Sequence, residues 1–305
     1  MTDAQFGQLL ALLSAFGFAS SQVFVSKGSR GSGDHGVLFS VLVTSVFAGI
    51  LWIFLERGSF GANVFSRQWW IGVTYFVLGG IFAMVLGRTF VFTAIRRLGV
   101  TRSAIVKRLN PFFSVLLAFL ILAEPINGWD AIGMLAIALA FLILIRESIL
   151  NNAAEMAQKS YRIIDYHWGV FASLFYASAY ICRKQGLLEL PAPAFGTMVS
   201  AVSGFAFFIL AAAFNQRHRQ NLQRIFSDLD RWRILAAITV SAGQILFFAA
   251  LKYEKVSTVV MIASLETFLA SFLAVTVFKA EQKPSRVMLV SAVIATLGVI
   301  AVAAA

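Results

Sequence analysis

Apolar runs long enough to cross a membrane recur along the whole chain. The first extends from Phe6 to Ser26, and similar runs follow to the last residues. A hydrocarbon core of about 30 Å requires a helix of roughly 20 residues, and only helices and closed barrels satisfy their backbone hydrogen bonds inside lipid. The runs do not show the ten-residue alternation of barrel strands. They therefore predict an integral membrane protein made of helices.

The composition supports this class. Hydrophobic residues make up 59% of the 305 residues, charged residues make up 13%, and the mean hydropathy is +0.83. A soluble domain needs more polar groups than this to cover its surface. The runs predict one membrane domain over residues 1–305 with ten transmembrane helices, at 6–26, 37–55, 69–95, 99–122, 128–146, 166–187, 194–214, 232–252, 256–279 and 286–304.

The second half of the chain resembles the first. The connection from Arg146 to Asp165 separates five predicted helices, in 6–146, from five more, in 166–304. Aligning the segment from Phe92 with the segment from Phe248 pairs identical residues in order: Phe92 with Phe248, Ala94 with Ala250, Val100 with Val256, Leu109 with Leu265 and Phe112 with Phe268. Because five is odd, the copies must cross the membrane in opposite directions. The predicted fold is an all-α membrane protein of two inverted five-helix repeats, which is typical of secondary transporters with a midplane substrate site.

One segment of each half also carries a family pattern. NPFFSVLLAFLILAE ends at Glu124, and its counterpart LETFLASFLAVTVFKAE ends at Glu281. With the two sets of five helices, these segments resemble the EamA-type ten-helix members of the drug/metabolite transporter superfamily. The resemblance implies transport, of amino acids, nucleotide sugars, sugar phosphates or drugs. The second copy departs from the pattern, with Thr267 in place of proline and one inserted residue before Glu281.

The orientation of the chain is open at this level. Most basic loop residues belong to one set of alternate loops, which by the positive-inside rule favours both termini outside. The family resemblance implies cytoplasmic termini instead. We expect the protein in the inner (cytoplasmic) membrane of a bacterium.

Three basic residues lie inside predicted membrane helices. Lys107 and Arg108 lie about eight residues into the fourth helix and Arg88 about eight residues before the end of the third, so all three are predicted at a similar depth, roughly 12 Å from the helix ends. Exposing a charge to lipid near the centre costs at least about 2.5 to 3.5 kcal/mol. These side chains should therefore face the interior of the bundle. The alternatives for Arg88 and Arg108 are that they extend to the interface or form structural pairs.

Helical spacing places further polar residues beside Lys107. Ser103, Asn110 and Ser114 share its face of the helix, whereas Arg108 points about 100° away toward a different neighbour. In the second half Gln244 takes the place of Arg88, and Glu266 takes the place of Asn110. Two roles are open for Glu266: pairing with the basic residues, or binding a coupling proton.

The sixth predicted helix carries an aromatic and polar stripe. Ser173, Tyr176, Tyr180 and Arg183 recur at helical spacing, and Phe18 and Gln22 occupy corresponding places on the first helix. Such a stripe suits a ligand's ring or chain. Packing between helices is the alternative explanation.

Other kinds of site are not indicated. The single cysteine, Cys182, excludes an internal disulfide, and the histidines are scattered, so neither a metal site nor a cofactor is expected. The basic run from Asn215 to Arg224 lies in a short loop, where contact with lipid headgroups is expected rather than nucleic acid. An enzyme is not indicated either, because no nucleophile, metal-ligand set or acid/base pair is seen.

The hypothesis that follows is secondary transport of a small organic anion, phosphorylated or carboxylated, by alternating access. Lys107 is the first candidate, because the triose-phosphate and nucleotide-sugar branches of the superfamily hold phosphate with basic residues on these helices. The predicted substrate-binding residues are Arg88, Lys107, Arg108, Asn110, Tyr176, Tyr180 and Gln244, with Glu266 for coupling or gating and Ser103, Phe18, Gln22 and Arg183 as secondary candidates. The expected partners are this substrate, membrane lipids and a coupling proton. Two alternatives stay open: an exporter of amino acids or amphipathic toxic compounds, and a phospholipid-headgroup carrier.

Overall fold

The structure is a computed structural model that describes residues 1–28, 35–56, 65–151, 163–227, 229–276 and 285–303. Every regular element in these ranges is helical. The helices are α1 (Asp3–Gly28), α2 (His35–Leu51), α3 (Arg67–Gly80), α4 (Arg88–Lys107), α5 (Asn110–Leu122), α6 (Gly128–Asn151), α7 (His167–Glu189), α8 (Pro193–Phe214), α9 (Gln216–Gln223), α10 (Arg231–Tyr253), α11 (Val256–Ala263), α12 (Glu266–Thr276) and α13 (Arg286–Ala303). Segments of π-helix at Trp52–Glu56 and Ile81–Gly87 follow α2 and α3, and a 3-10 turn at Ile163–Tyr166 precedes α7.

Eight helical stretches in the described ranges are long and apolar enough to cross a membrane. Two of the ten predicted spans are not among them. The predicted span 99–122 contains α5, which has only 13 residues. The predicted span 166–187 corresponds to α7, whose mean hydropathy is lowered by Arg183 and Lys184. The membrane-protein class is thus supported, and the exact number of ten helices stays a prediction.

The first helix of each predicted half packs against the other half. Helix α1 packs on α10, α11 and α12, and α7 packs on α3, α4 and α5. Small residues allow the α1–α10 contact, because a Cβ added at Gly17 would lie 3.0 Å from the Cα of Gly243. The hydroxyl of Ser14 also donates a hydrogen bond to the carbonyl of Gly243, at 2.8 Å. This close packing holds Phe18 and Gln22 of α1 toward the centre of the molecule.

Two helices are interrupted, at positions that the internal alignment pairs. Helix α4 continues to Lys107 and α5 starts at Asn110, so the turn is at Arg108 and Leu109. The second turn, between α11 and α12, is at Ser264 and Leu265. The structure therefore differs from the prediction of an uninterrupted helix over 99–122 that starts after a turn near residue 97, since helix continues from Arg88 through that point.

The local cause of the interruption differs between the two places. Pro111 has no N–H, so the carbonyl of Lys107 has no donor four residues on, and the amide of Leu109 instead bonds the carbonyl of Val106 at 3.0 Å. In the second half Thr267 occupies the position aligned with Pro111. There the hydroxyl of Ser264 donates to the carbonyl of Met261 at 2.6 Å, and the amide of Leu265 bonds the carbonyl of Ile262 at 3.1 Å. Both turns use the tighter three-residue hydrogen-bond spacing.

Candidate functional site

A cavity of about 350 Å³ lies where the two interrupted helices meet α1 and α7. We call it the lysine chamber. Its walls are formed by Phe18, Gln22, Lys107, Arg108, Asn110, Pro111, Phe141, Tyr180, Phe247, Val260, Ala263, Ser264, Glu266 and Thr267.

The two interruptions supply equivalent positions to the lysine chamber. The wall residues that the internal alignment pairs are Lys107 with Ala263, Arg108 with Ser264, Asn110 with Glu266, and Pro111 with Thr267. An uninterrupted helix would turn consecutive residues about 100° apart. Because the helix stops after Lys107, Lys107 and Arg108 both reach this chamber, although each lies beside a different aromatic neighbour.

The positive charges of the lysine chamber lack a close anionic partner. In the described part of the chain, no carboxylate lies within salt-bridge distance of Lys107 or Arg108. Their cationic groups instead lie beside aromatic rings, at 5.8 Å from the centroid of Tyr176 for Lys107 and at 5.8 Å from the centroid of Phe141 for Arg108. One terminal nitrogen of Arg108, Nη1, is buried with no hydrogen-bond partner in the residues that the structure describes. With Glu266 as the one acidic wall residue, the chamber is electropositive.

Polar neighbours surround Asn110 and Glu266. The Asn110 amide donates to the Tyr180 hydroxyl at 3.3 Å, and the Ser114 hydroxyl donates to the backbone carbonyl of Asn110 at 2.8 Å. Gln22 and the Glu266 carboxylate line the same chamber. The lysine chamber thus combines two cations, two amides, a phenol and a carboxylate.

A second cavity, of about 310 Å³, lies next to the first. We call it the arginine chamber, and its walls are Phe18, Val37, Ala83, Met84, Arg88, Val91, Phe92, Tyr176, Tyr180, Arg183, Val240, Gln244 and Phe247. Phe18, Tyr180 and Phe247 line both chambers. The ring centroids of Tyr180 and Phe247 are 4.8 Å apart, so these residues form an aromatic surface that borders both chambers.

The arginine chamber contains two buried guanidinium groups. Arg88 is 9% exposed and lies 5.5 Å from the ring centroid of Phe92. Arg183 is 3% exposed and lies 4.8 Å from the ring centroid of Phe248. Such contacts attract a cation to the ring face. Arg88 therefore lies with Tyr176 and Gln244, apart from Lys107 and Arg108, although the sequence placed all three cations at one depth.

The predicted residues thus divide between two adjoining sites. Arg88, Tyr176, Gln244 and Arg183 line the arginine chamber. The lysine chamber is lined by Lys107, Arg108, Asn110, Glu266 and Gln22, and Phe18 and Tyr180 line both. Ser103, one turn before Lys107 on α4, is buried and lines neither chamber.

Sequence reasoning missed the apolar half of the lysine chamber. Phe141 and Phe247 line it, but a phenylalanine in an apolar helix carries no distinguishing signal. Ser264 and Thr267 could have been predicted from the sequence, because the internal alignment pairs them with Arg108 and Pro111.

Polar contacts join the end of α5 to the start of α11. The Glu124 carboxylate accepts hydrogen bonds from the amides of Val256, at 2.7 Å, and Ser257, at 3.1 Å, and from the Ser257 hydroxyl, at 2.7 Å. These amides begin α11, where helix N–H groups have no partner within the helix and a carboxylate is favourable. Ala123, with a left-handed φ of 51°, turns the chain so that Glu124 reaches them. Nearby, the Lys255 ammonium lies 4.0 Å from the Asp130 carboxylate.

Apolar helices around an electropositive interior define this chain as an integral membrane protein with internal polar chambers. The model of the EamA-like transporter family, within the drug/metabolite transporter superfamily, matches residues 5–146 and again residues 164–304. The chain belongs to this family.

A curated relative and a solved structure agree with this placement. An uncharacterized transporter of Synechocystis is 25% identical over 195 residues, which cover 61% of this chain and 52% of that protein. The chain thus spans about half the length of this relative. A protein known from a crystal structure superposes with a TM-score of 0.67 over 97% of this chain and 95% of its own, at 14% identity, which establishes likeness of fold alone.

Proposed function

We propose that this protein is a secondary transporter that binds a small phosphorylated or carboxylated organic anion in the lysine chamber. The observation that carries the proposal is the pair Lys107 and Arg108, which line one internal cavity without a carboxylate at salt-bridge distance in the described residues. Lys107 is exposed to the open space of the chamber, whereas Arg108 is half-buried and has one buried terminal nitrogen without a hydrogen-bond partner in the described residues. A cation withdrawn from water without a partner is costly. An anionic substrate would supply the missing partner, and guanidinium groups bind carboxylate and phosphate in a two-pronged manner.

Alternating access fits the arrangement of the chambers. Discontinuous helices near the midplane are a common way to build a transporter site between inverted repeats. The interruptions at Arg108 and at Ser264 lie at positions paired by the internal alignment, which supports two repeats in opposite orientation. In this proposal the Glu124 contacts with Val256 and Ser257 close one end of the pathway and separate when that end opens.

Glu266 would act beside the anion. Its carboxylate lines the lysine chamber with Lys107, where it would offset part of the positive charge when no substrate is bound. The alternative role, binding a proton that drives transport, uses the same position. We place the protein in the bacterial inner membrane.

An exporter of amphipathic compounds is the second candidate. The aromatic rings of Phe18, Phe141, Tyr180 and Phe247 in the lysine chamber favour it. In that case the cations would be held by aromatic faces as part of the architecture.

The two candidates are separated by thermal unfolding of the purified protein with matched probes. Phenyl phosphate and benzyltrimethylammonium are of similar size and opposite charge. A ligand that binds the folded state raises its apparent stability by mass action. We expect stabilisation by phenyl phosphate that disappears in Lys107→Ala and persists in Lys252→Ala, which removes an exposed lysine outside both chambers. Stabilisation by the cation alone, unchanged in Lys107→Ala, would favour the exporter.

A further inference from the structure

The arginine chamber contains a buried positive charge, on Arg183, that would stay unpaired when one anionic group binds in the lysine chamber. Arg183 lines this chamber and is 3% exposed. No carboxylate lies within salt-bridge distance of it in the described residues, and its Nε has no hydrogen-bond partner there. The Cζ of Arg183 lies 4.8 Å from the ring centroid of Phe248 and 5.7 Å from that of Tyr180. A buried guanidinium with an unsatisfied donor is suited to receive an acidic group.

Aromatic contacts do not replace a hydrogen-bond acceptor. A ring face attracts the cation, but it leaves the in-plane N–H groups unsatisfied. The other polar groups of the chamber include the Gln244 amide and the Tyr176 phenol. A carboxylate or phosphate matches the fork of an arginine in both charge and shape. The arginine chamber therefore has the chemistry of an anion site in its own right.

The two chambers are close enough to hold one molecule. They share the wall residues Phe18, Tyr180 and Phe247. The Tyr180 hydroxyl bonds Asn110 of the lysine chamber, at 3.3 Å, and Arg183 lies one turn further along α7, a rise of about 4.5 Å. The Lys107 ammonium in turn lies 5.8 Å from the ring of Tyr176, which lines the arginine chamber. The space between the cations is thus bounded by flat aromatic surfaces.

We propose that the substrate carries two acidic groups at opposite ends of a flat or apolar body, one bound by Lys107 and Arg108 and the other by Arg183. This inference rests on the proposed function and narrows its substrate class from organic anions to anions with two separate acidic groups. The body of the molecule packs against Tyr180, Phe247 and Phe18. A compound with one acidic group occupies the lysine chamber and leaves Arg183 unpaired.

The test compares two ligands of the same shape on the wild-type protein. 4-Carboxyphenyl phosphate has an acid at each end, and 4-carbamoylphenyl phosphate replaces the carboxylate with a neutral amide. Calorimetry on the purified full chain measures both affinities. We expect the carboxylate compound to bind at least about tenfold more tightly, because hydrogen bonds between ionised groups exceed neutral ones. Equal affinities would overturn the proposal without any variant.

Variants then assign the preference to a residue. Arg183→Gln should remove the preference for the carboxylate and leave the affinity for the amide compound unchanged. Arg183→Lys, which keeps the charge and loses the fork, should retain part of the preference and also serves if Arg183→Gln does not fold. A preference that survives both changes, or that disappears in Arg88→Gln alone, would overturn the assignment to Arg183.

Failure of this inference is distinguishable from failure of the proposed function. If phenyl phosphate binds and Lys107→Ala abolishes its binding, while the added carboxylate contributes nothing, then the proposal of a second acidic group alone is wrong. If none of the three phosphates binds the wild-type protein, both proposals are wrong.

Discussion

The two interrupted helices meet at one chamber and bring opposite charges to it. The first contributes Lys107, Arg108 and Asn110, whereas the aligned positions of the second are Ala263, Ser264 and Glu266. The backbone turn is alike, but proline causes it in one half and a serine hydroxyl accompanies it in the other. The comparison shows that the resemblance between the halves extends to the course of the backbone, and that the chemistry of the chamber comes from where the side chains differ.

The surroundings of the two helices differ as well. All eight residues of α11, before the second turn, are buried. After the turns, α5 exposes Leu116, Phe119 and Leu120, whereas its counterpart α12 exposes Phe272 among the described large apolar residues. Helix α11 is enclosed by α1, α5 and α10, and α5 has a broad apolar face suited to lipid. Substitutions in the second interrupted helix should therefore mainly change packing, and hence stability. Substitutions in the first should mainly change ligand binding in the chamber.

The largest effect on transport is expected at Lys107, where the two interrupted helices differ most in charge. Lys107→Ala makes this position identical to Ala263 and removes the charge that the first half alone supplies. We expect anion uptake into proteoliposomes to fall to the level of empty liposomes. Lys252→Ala, at an exposed position on α10, should transport normally. Uptake by Lys107→Ala at the wild-type rate would mean that the charge asymmetry does not define the site.

The contact that joins the two helices comes next. Glu124→Ala removes the carboxylate that satisfies the first amides of α11 and the Ser257 hydroxyl. We expect the free energy of unfolding to fall by about 1 to 3 kcal/mol, the usual penalty for leaving buried donors without a partner. Denaturant titration in micelles would measure it, with Glu147→Ala, outside this contact, as the control. No difference between the two variants would show that the end of the bundle is held closed by other contacts.

A smaller effect is expected at the acid of the second half. Glu266→Gln keeps the size of the side chain and removes the negative charge that offsets Lys107. The affinity for phenyl phosphate should rise by about fivefold, since a partly solvated charge pair contributes up to about 1 kcal/mol. Calorimetry would measure the change. Unchanged affinity, together with loss of uptake driven by a proton gradient, would assign the coupling role to Glu266 instead.

The smallest effect is expected from making the second interruption more like the first. Thr267→Pro places proline where Pro111 lies in the first half, in the first turn of α12, where helix amides have no intrahelical partner. The free energy of unfolding should change by less than about 1 kcal/mol, whereas Ser271→Pro, within α12, should cost about 3 kcal/mol. Equal losses in the two variants would mean that the second turn differs in geometry from the first.

Sequence reasoning succeeded best with properties that depend on the pattern of the chain. Hydropathy indicated a helical membrane protein, and the segments ending at Glu124 and Glu281 indicated the family. The cost of a charge in lipid also predicted that Lys107 faces the interior. The prediction that Arg88, Lys107 and Arg108 lie at a similar depth in the membrane did not predict which chamber each lines. Depth along a helix does not determine which neighbouring residues a side chain contacts.

The sequence by itself determined the membrane class, the family, and the pairing of Arg108 with Ser264 and of Asn110 with Glu266. These follow from hydrophobicity, order and internal similarity, which are properties of one chain read along its length. Only the tertiary structure decided that both helices stop at the paired positions, that Lys107 and Arg108 share a chamber, and that Arg88 and Arg183 line an adjoining chamber bordered by the same aromatic residues. The physical reason is that a cavity is the space that packed helices leave between them, so its walls come from residues distant in sequence and its shape depends on every neighbour at once.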